Sequence, residues 1–205
     1  MSSSCTHVLE AMRAFLGQRG DPIVARFMEG HDWAMPSRGV SPSALPCLWH
    51  LPRVVEIAGA DCRALGETLL AAHAALAWRQ TYTAADFDRA FLDGYGWTEL
   101  FGTRGPYVSD AMAGGFLLLG PGLEYPDHHH VAEEIYIPLS GATDWRKGVA
   151  PFAIRAAGEV IHHPSEVSHA IRTGSEPLLA LYLWRGGPLA QKSSMGVSVG
   201  SESSA

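Results

Sequence analysis

The sequence predicts a mainly β protein in which a helical segment precedes a small antiparallel barrel. Apolar residues recur at helical spacing in several separate stretches of residues 1–94. Beyond Gly94, short β-prone runs alternate with glycine and proline. Several short strands at even spacing favour a barrel over a parallel sheet. We therefore expect a helical extension over residues 1–94 that packs against the barrel, the barrel itself over residues 95–190, and a disordered Ser/Gly-rich tail over residues 191–205.

The helical extension begins with two short helices and a loop. Residues 8–17 place their apolar side chains on one helical face. Asp21 followed by Pro22 is typical of a helix start, because aspartate caps the first backbone amides and proline fits the first turn. Four prolines spread over residues 31–52 forbid a long helix there and predict an ordered loop.

Two further helical stretches lead to the β-prone region. Residues 60–78 again have apolar positions at helical spacing. Residues 83–86 resemble a capping box that opens a short helix, and Gly94 ends it. The predicted strands that follow are residues 97–101, 107–112, 116–119, 135–139, 152–155 and 178–184.

Composition and charge limit the function classes. The net charge of −6 argues against nucleic acid or an anionic membrane as a partner, because both need a basic face. No apolar run approaches the roughly 20 residues of a membrane helix, and the first residues lack the pattern of a signal peptide. Cys5, Cys47 and Cys62 are odd in number and lack metal-binding spacing. We therefore expect a cytoplasmic protein that binds a small molecule, and the sequence leaves its oligomeric state open.

The central motif lies between Gly122 and Gly141 and has the form G-x5-H-x-H-x3-E-x6-G. Successive side chains of a strand alternate faces, so His128 and His130 point the same way and Glu134 shares their parity. Two or three imidazoles with one carboxylate suit divalent iron, manganese, cobalt, nickel or zinc, and they leave coordination positions open for a substrate. The motif therefore predicts a metal site inside a β-barrel.

A second motif follows at Gly158, Pro164 and His169. The first motif matches the first cupin motif at every fixed position. The second matches the second cupin motif at these three residues but departs from it at Glu166, where glycine is usual, and at Thr173, where asparagine is usual. The chain thus resembles the cupins, which implies a C-terminal cupin barrel that holds a divalent transition metal. The ligands implied by the resemblance are His128, His130, Glu134 and His169.

Tyrosines accompany the metal motif. Tyr136 shares the parity of the metal-binding residues, so its phenol should face the metal. A nearby divalent ion would lower the pKa of this phenol from about 10 and make the phenolate a competent general base. Tyr125 could supply a second phenol, and for both residues a core tyrosine with a satisfied hydroxyl is the alternative. The adjacent His162 and His163 are interpreted as hydrogen-bonded histidines at a strand end.

The combination Y-x2-H-x-H-x3-E-x-Y, which begins at Tyr125, resembles the DddQ-like group of cupin lyases that cleave dimethylsulfoniopropionate (DMSP). The sequence His163-Pro164-Ser165 before His169 adds to the likeness, which covers most of residues 80–187. The resemblance implies metal ligands and catalytic groups at matching positions. The implied roles are metal ligation by His130, Glu134 and His169, ligation or close support by His128, proton abstraction by Tyr136, and substrate binding or orientation by Tyr125.

The implied chemistry is a β-elimination from a zwitterion. A metal-bound carboxylate would spread the charge that develops when Tyr136 takes the α-proton. The sulfonium cation should lie against aromatic faces, each worth on the order of 1 kcal/mol when desolvated. Trp184 is the preferred face because it alternates with Leu181 and Leu183, which point to the other side of the predicted strand. Trp97 and Tyr182 are the other candidates.

Two other functions share these ligands. One is a different metal-dependent cupin enzyme, either a dioxygenase, which would consume oxygen, or a sugar isomerase, which would convert a ketose. The other is a cupin that binds a small molecule without turnover, in which Tyr125 and Tyr136 only fill the core. The native metal also stays open among zinc, iron, manganese and cobalt, because these ions accept the same ligands.

Overall fold

Two β-sheets and a helical layer make up the computed structural model, which describes residues 3–197. The helices are α1 (Ser3–Gly17), α2 (Pro22–Met28), α3 (Leu51–Glu56), α4 (Arg63–Ala72) and α5 (Arg89–Gly94), with 3₁₀ turns at Pro46–His50, Ala60–Cys62 and His73–Ala75. The strands are β1 (Trp78–Arg79), β2 (Tyr95–Gly102), β3 (Tyr107–Val108), β4 (Met112–Leu119), β5 (Glu124–His129), β6 (Glu133–Pro138), β7 (Thr143–Lys147), β8 (Ala153–Arg155), β9 (Ile161–His163), β10 (His169–Arg172), β11 (Leu178–Arg185) and β12 (Ser194–Met195).

The strands form a double-sheet barrel of the cupin type. The larger sheet has the order β1-β2-β4-β11-β6-β9, with β3 paired to β2, and the smaller has the order β12-β5-β10-β7-β8. Every pair is antiparallel except β2 with β3. The predicted fold class, mainly β with a cupin barrel after a helical segment, is confirmed.

Strand β11 separates two buried cores. Leu181 and Leu183 pack together with residues of α1 and α4, on the outer face of the larger sheet. Tyr182 points into the barrel, where Trp184 packs against the same inner cluster. The predicted alternation along this strand is confirmed, and the helical segment covers the outside of the sheet that carries it. Within residues 3–197, no helix combines the length and apolarity needed to span a bilayer.

The helical part agrees with the sequence at its start and differs near its end. Asp21 caps α2, where its carboxylate accepts a hydrogen bond of 2.7 Å from the amide of Ile23. The helix predicted over residues 60–78 ends early, because Trp78 pairs with Thr98 and extends the larger sheet as β1. The capping residue of α5 is Asp88, which accepts from the amide of Phe91 at 2.9 Å. The predicted capping box forms a separate turn instead.

The prediction of a disordered tail is wrong for residues 191–197. Ser194 and Met195 form β12, which pairs with His129 and His128 of β5. The amide of Gly196 donates to the carbonyl of Asp127 at 2.7 Å. A Ser/Gly-rich composition does not prevent this order, because the segment gains backbone hydrogen bonds at an open sheet edge. Residues 198–205 of the predicted tail lie outside the described residues.

Candidate active site

Three of the predicted ligands converge inside the barrel. Glu134 lies on β6, His169 begins β10, and His130 directly follows β5. One ligand atom from each lies within 4.8 Å of the others, and all three residues are buried. Glu134 Oε2 is 3.0 Å from His130 Nε2 and 3.0 Å from His169 Nε2. The structure thus brings two imidazoles and one carboxylate to a single point.

The opposite ring nitrogens of these histidines are held by the backbone. His130 Nδ1 is 2.7 Å from the carbonyl of Ala132, and His169 Nδ1 is 3.3 Å from the carbonyl of Val167. A carbonyl only accepts, so each Nδ1 carries the proton in the neutral ring and each Nε2 presents a lone pair. This is the usual arrangement of metal-binding histidines, because the outer hydrogen bond fixes the tautomer and the ring orientation.

The inner atoms of the cluster fit a cation. His169 Nε2 is buried and has no hydrogen-bond partner within residues 3–197, although Glu134 Oε2 lies 3.0 Å away. Two nitrogen lone pairs that face a carboxylate oxygen repel one another unless a positive charge lies between them. A divalent transition ion meets this requirement with nitrogen and oxygen donors of the right kind.

The pKa values of Glu134 and His130 also indicate that the cluster needs a positive charge. Burial raises the pKa of Glu134, but the hydrogen bond with His130 and the charges of the His130 and His169 imidazoles outweigh burial and lower the pKa below its ordinary range. Burial lowers the pKa of His130, but the hydrogen bond and charge of Glu134 outweigh it and raise the pKa. Glu134 is therefore a carboxylate that needs a positive charge beside it, which a proton on His130 or a bound cation supplies.

Trp184 orients the carboxylate. Its indole Nε1 donates to Glu134 Oε1 at 2.6 Å, and its ring lies 4.0 Å from the ring of His130. One carboxylate oxygen is thereby held by the indole while the other faces the two imidazoles. Trp184 also borders the cavity described below, where sequence reasoning expected it as an aromatic face for a sulfonium. The hydrogen bond from the indole was not predicted, because it depends on the pairing of β11 with β6, which places Trp184 opposite Glu134.

His128 lies beside the three-residue cluster rather than within it. Its ring stacks on Tyr125 at 3.9 Å and stands 4.2 Å from the ring of His169. Its Nδ1 is 2.9 Å from the carbonyl of Pro126, so this histidine also presents Nε2 inward. Burial, and then the charge of His169, lower the pKa of His128 well below its ordinary value. His128 is therefore a neutral ring that supports both Tyr125 and His169.

The two histidines before Pro164 behave differently. His162 bonds to Glu133 Oε1 at 2.6 Å, as expected of a hydrogen-bonded histidine. His163 is buried and stacks on His169 at 4.0 Å, and neither of its ring nitrogens has a hydrogen-bond partner within the described part of the chain. The interpretation of His163 as a hydrogen-bonded histidine is wrong. Its place is set by the pairing of β9 with β6, which puts it opposite Glu134.

The departures from the second cupin motif leave the local geometry intact. Glu166 has φ of 62°, the left-handed conformation that glycine adopts readily, and its carboxylate contacts His129 Nδ1 at 2.6 Å. The hydroxyl of Thr173 accepts from the amide of Leu123 and donates to the carbonyl of Gly120, both at 2.8 Å. Side-chain hydrogen bonds therefore support both turns in this chain.

An aromatic cavity of about 580 Å³ opens onto Glu134. Tyr136 and Tyr125 both line it, so the two predicted tyrosines reach the same space. The hydroxyl of Tyr125 is 2.8 Å from that of Tyr82, a partner that sequence reasoning missed because Tyr82 lies in the loop before α5. The other aromatic residues that line the cavity are Trp78, Tyr95, Trp97, Tyr182 and Trp184.

The phenols of the cavity are held in their neutral form. Burial raises the pKa of Tyr136 well above its ordinary value, and the charge of Glu134 and its hydrogen bond raise it further. Burial and the neighbouring tyrosines raise the pKa of Tyr125 in the same way. The expected lowering of the Tyr136 pKa therefore depends on a positive charge at the histidine cluster, which would reverse the effect of Glu134.

Glu99 is a site residue that sequence reasoning missed. Its carboxylate is 5% exposed and lines the cavity. Oε1 accepts hydrogen bonds from the amides of Arg104 at 2.5 Å and Gly105 at 2.7 Å. Burial raises the pKa of Glu99, while these amides and the nearby guanidinium groups oppose the rise. A single glutamate in a β-prone run carries no sequence signal, although its parity with Trp97 places both on one face.

Comparisons with known proteins agree on one family. A model of the dimethylsulfoniopropionate lyase family matches residues 21–180. The chain is 32% identical to the DMSP lyase DddQ of Ruegeria pomeroyi over 81% of this chain and 82% of that protein. It is 30% identical to the putative DMSP lyase DddL of Cereibacter sphaeroides over 71% of this chain and 61% of that protein.

A solved structure extends the likeness to the fold. The crystal structure of DddQ from Ruegeria pomeroyi has a TM-score of 0.87 to this chain at 28% identity, and the match covers 95% of this chain and 97% of that one. The match therefore includes the helical segment and the barrel together. On these grounds the chain belongs to the dimethylsulfoniopropionate lyase family.

Proposed function

We propose that this enzyme cleaves DMSP to dimethyl sulfide and acrylate by β-elimination in the aromatic cavity. The observation that carries the proposal is the convergence of His130, Glu134 and His169 beside a cavity that Glu134 and Tyr136 both line. The relatives, which are DMSP lyases by name, support the substrate. A small zwitterion suits a cavity that combines aromatic faces with a cation-binding cluster.

The same three residues would hold a divalent ion, which we propose to be zinc, iron, manganese or cobalt. Such an ion supplies Lewis-acid stabilisation of the negative charge that develops on the substrate carboxylate. His128 supports the cluster through its contact with His169. Trp184 keeps one oxygen of Glu134 occupied, so that the other remains directed at the imidazoles.

Tyr136 is proposed to act as the base. Its phenolate oxygen takes the α-proton, the electron pair forms the carbon–carbon double bond, and the bond from the β-carbon to sulfur breaks. The products are acrylate, neutral dimethyl sulfide and a protonated Tyr136, which returns its proton to solvent. Tyr125, fixed by Tyr82 and stacked on His128, orients the substrate. The aromatic face of Trp184 is the proposed contact for the sulfonium.

The cellular setting is proposed to be the cytoplasm. Cys5, Cys47 and Cys62 are buried and form no disulfide, as expected for a reducing compartment.

Removal of the metal should abolish activity. We expect the purified protein to release dimethyl sulfide from DMSP, chelation to stop the release, and one of Mn(II), Fe(II), Co(II) or Zn(II) to restore it, because the developing carboxylate charge then regains its stabilisation. Headspace dimethyl sulfide and dissolved acrylate should rise in equal amounts. No release with any of these metals would refute the lyase, and oxygen uptake or ketose conversion would then identify the other cupin activities.

Trp184→Phe separates the two roles of the indole. Phenylalanine keeps an aromatic face but cannot donate to Glu134, so we expect metal affinity to fall by roughly 10- to 100-fold, the usual effect of losing an outer hydrogen bond to a ligand. Titration of the metal-free protein with Zn(II) measures this directly. Trp97→Phe is the matched control, since that indole borders the same cavity but donates to Thr81 at 3.0 Å. If the metal affinity of Trp184→Phe equals that of the wild type, the indole hydrogen bond does not support metal binding, and Trp184 serves only as an aromatic face.

A further inference from the structure

We propose that Glu99 is the residue that recognises the cationic end of the substrate and so selects zwitterions over simple carboxylates. The inference rests on the proposed function for the identity of the cation, a sulfonium. It adds to that function a negative group that lies apart from the histidine cluster, on a different strand.

Glu99 and Tyr136 lie in one row across the larger sheet. The register pairs Glu99 with Gly115, Gly115 with Tyr182, and Tyr182 with Tyr136. Side chains in such a row share a face, so the carboxylate and both phenols point into the barrel. Gly115 is required by the close approach of β2, because a Cβ there would lie 1.9 Å from the carbonyl oxygen of Thr98.

The local backbone is shaped to hold this carboxylate. A β-bulge between Glu99 and Phe101 interrupts the pairing of β2 with β4. Such bulges re-aim a side chain and are common beside active sites. Gly102 has φ of 137°, and a Cβ there would lie 2.7 Å from Glu99 Oε1. Gly105 contributes one of the two amides that bind the same oxygen. A Cβ at Gly105 would lie 2.7 Å from the backbone of Leu100, so both positions beside the carboxylate require glycine.

The second oxygen of Glu99 is available to a ligand. Oε2 accepts no hydrogen bond from residues 3–197, and no ion pair to Glu99 occurs among them. The guanidinium of Arg104 also lines the cavity, but it donates to the carbonyl of Ala190 and lies 5.4 Å from the Trp97 ring instead of pairing with Glu99. Arg38 donates to the carbonyl of Gly105 at 2.7 Å. Arg38 and Arg104 act on Glu99 only from a distance, and a buried carboxylate without a direct ion pair is costly unless a ligand supplies the charge.

The cavity therefore has two poles that match a zwitterion. The cluster around Glu134 receives the carboxylate of the substrate, and Glu99 receives the cation. Tyr182 lies between them: burial, and then the charges of Glu99 and Glu134, raise its pKa. Trp97, two residues before Glu99 on the same face, lines the cavity beside this pole and adds an aromatic surface for the methyl groups of the cation.

Binding of unreactive ligands tests the inference without turnover. Two probes of equal shape are the trimethylammonium analogue of DMSP and the tert-butyl carboxylate in which carbon replaces nitrogen. Calorimetric titration of the metal-loaded wild type should show tighter binding of the zwitterionic trimethylammonium probe than of the anionic tert-butyl probe. Glu99→Gln retains an acceptor for the two backbone amides but removes the charge. We therefore expect it to weaken binding of the zwitterionic probe by roughly tenfold or more and to leave binding of the anionic probe within about twofold.

The controls separate the possible failures. Glu176→Gln removes the same charge from an exposed pair with Arg53 and should change neither affinity. Equal binding of the two probes by the wild type would overturn the inference even if Glu99→Gln does not fold, and so would equal losses for both probes in the variant. If the wild type prefers the probe with the positive charge but releases no dimethyl sulfide from DMSP, the lyase proposal is wrong and the cation site at Glu99 is supported. If release occurs without the preference, only the Glu99 inference fails.

Discussion

Tyr136→Phe is expected to lower the turnover of DMSP by about 10²- to 10⁴-fold, the usual contribution of a positioned general base, while the protein keeps its metal. The substitution removes only the hydroxyl, and the ring remains between Trp145 and His163 at 5.2 and 5.9 Å. Because Tyr136 is buried on the barrel wall, the ring should hold its packing after the change.

Two measurements on the same sample distinguish the loss of a base from the loss of a metal ligand. Headspace dimethyl sulfide gives turnover, and elemental analysis gives metal content. Tyr182→Phe is the matched control, since Tyr182 is also a cavity-lining phenol and is paired with Tyr136 across β11 and β6; it should retain most of the turnover. Turnover close to wild type in Tyr136→Phe would rule out this residue as the base. Loss of metal together with turnover would identify the hydroxyl as a ligand.

The metal cluster could be predicted because its geometry is mostly local. His130 and Glu134 lie four residues apart across the turn between β5 and β6, and their spacing with the bounding glycines is a fixed pattern. His169 comes from a second pattern of the same kind. The pairing of β10 with β5, which places His169 opposite His128, then brings the two patterns together.

Other parts of the site depend on register between distant strands, which spacing does not encode. His163 stacks on His169 because β9 pairs with β6, and Glu99 faces Tyr182 because β2 and β11 both pair with β4. The hydrogen bond from Trp184 to Glu134 has the same origin. Sequence reasoning placed Trp184 on the correct face but gave it a single role.

Short segments at sheet edges were the least predictable. Trp78 belongs to a helical pattern by spacing, yet it joins β1, and Ser194 joins β12 from a segment of disordered composition. In both cases a two-residue strand completes an edge that distant residues have already formed. Local propensity is a weak guide where tertiary pairing decides the backbone conformation.

Glu134→Gln is expected to remove metal binding and, with it, activity. Glu134 is fully buried, and its Oε2 faces two imidazole nitrogens at 3.0 Å. If the amide oxygen of glutamine accepts from Trp184, its amino group faces the cluster and repels a cation. We expect the affinity for Zn(II) or Mn(II) to fall by more than the roughly 10- to 100-fold that loss of an outer partner costs.

The neighbouring residue provides the control for that prediction. Glu133→Gln makes the same chemical change one position away, where the carboxylate faces outward and pairs with Arg26 at 2.7 Å; its metal affinity should match the wild type. Titration of the metal-free proteins and the rise in melting temperature on adding metal report binding without turnover. If Glu134→Gln binds metal as tightly as Glu133→Gln, the carboxylate is not a ligand, and His128, which also presents Nε2 inward beside His169, becomes the third donor.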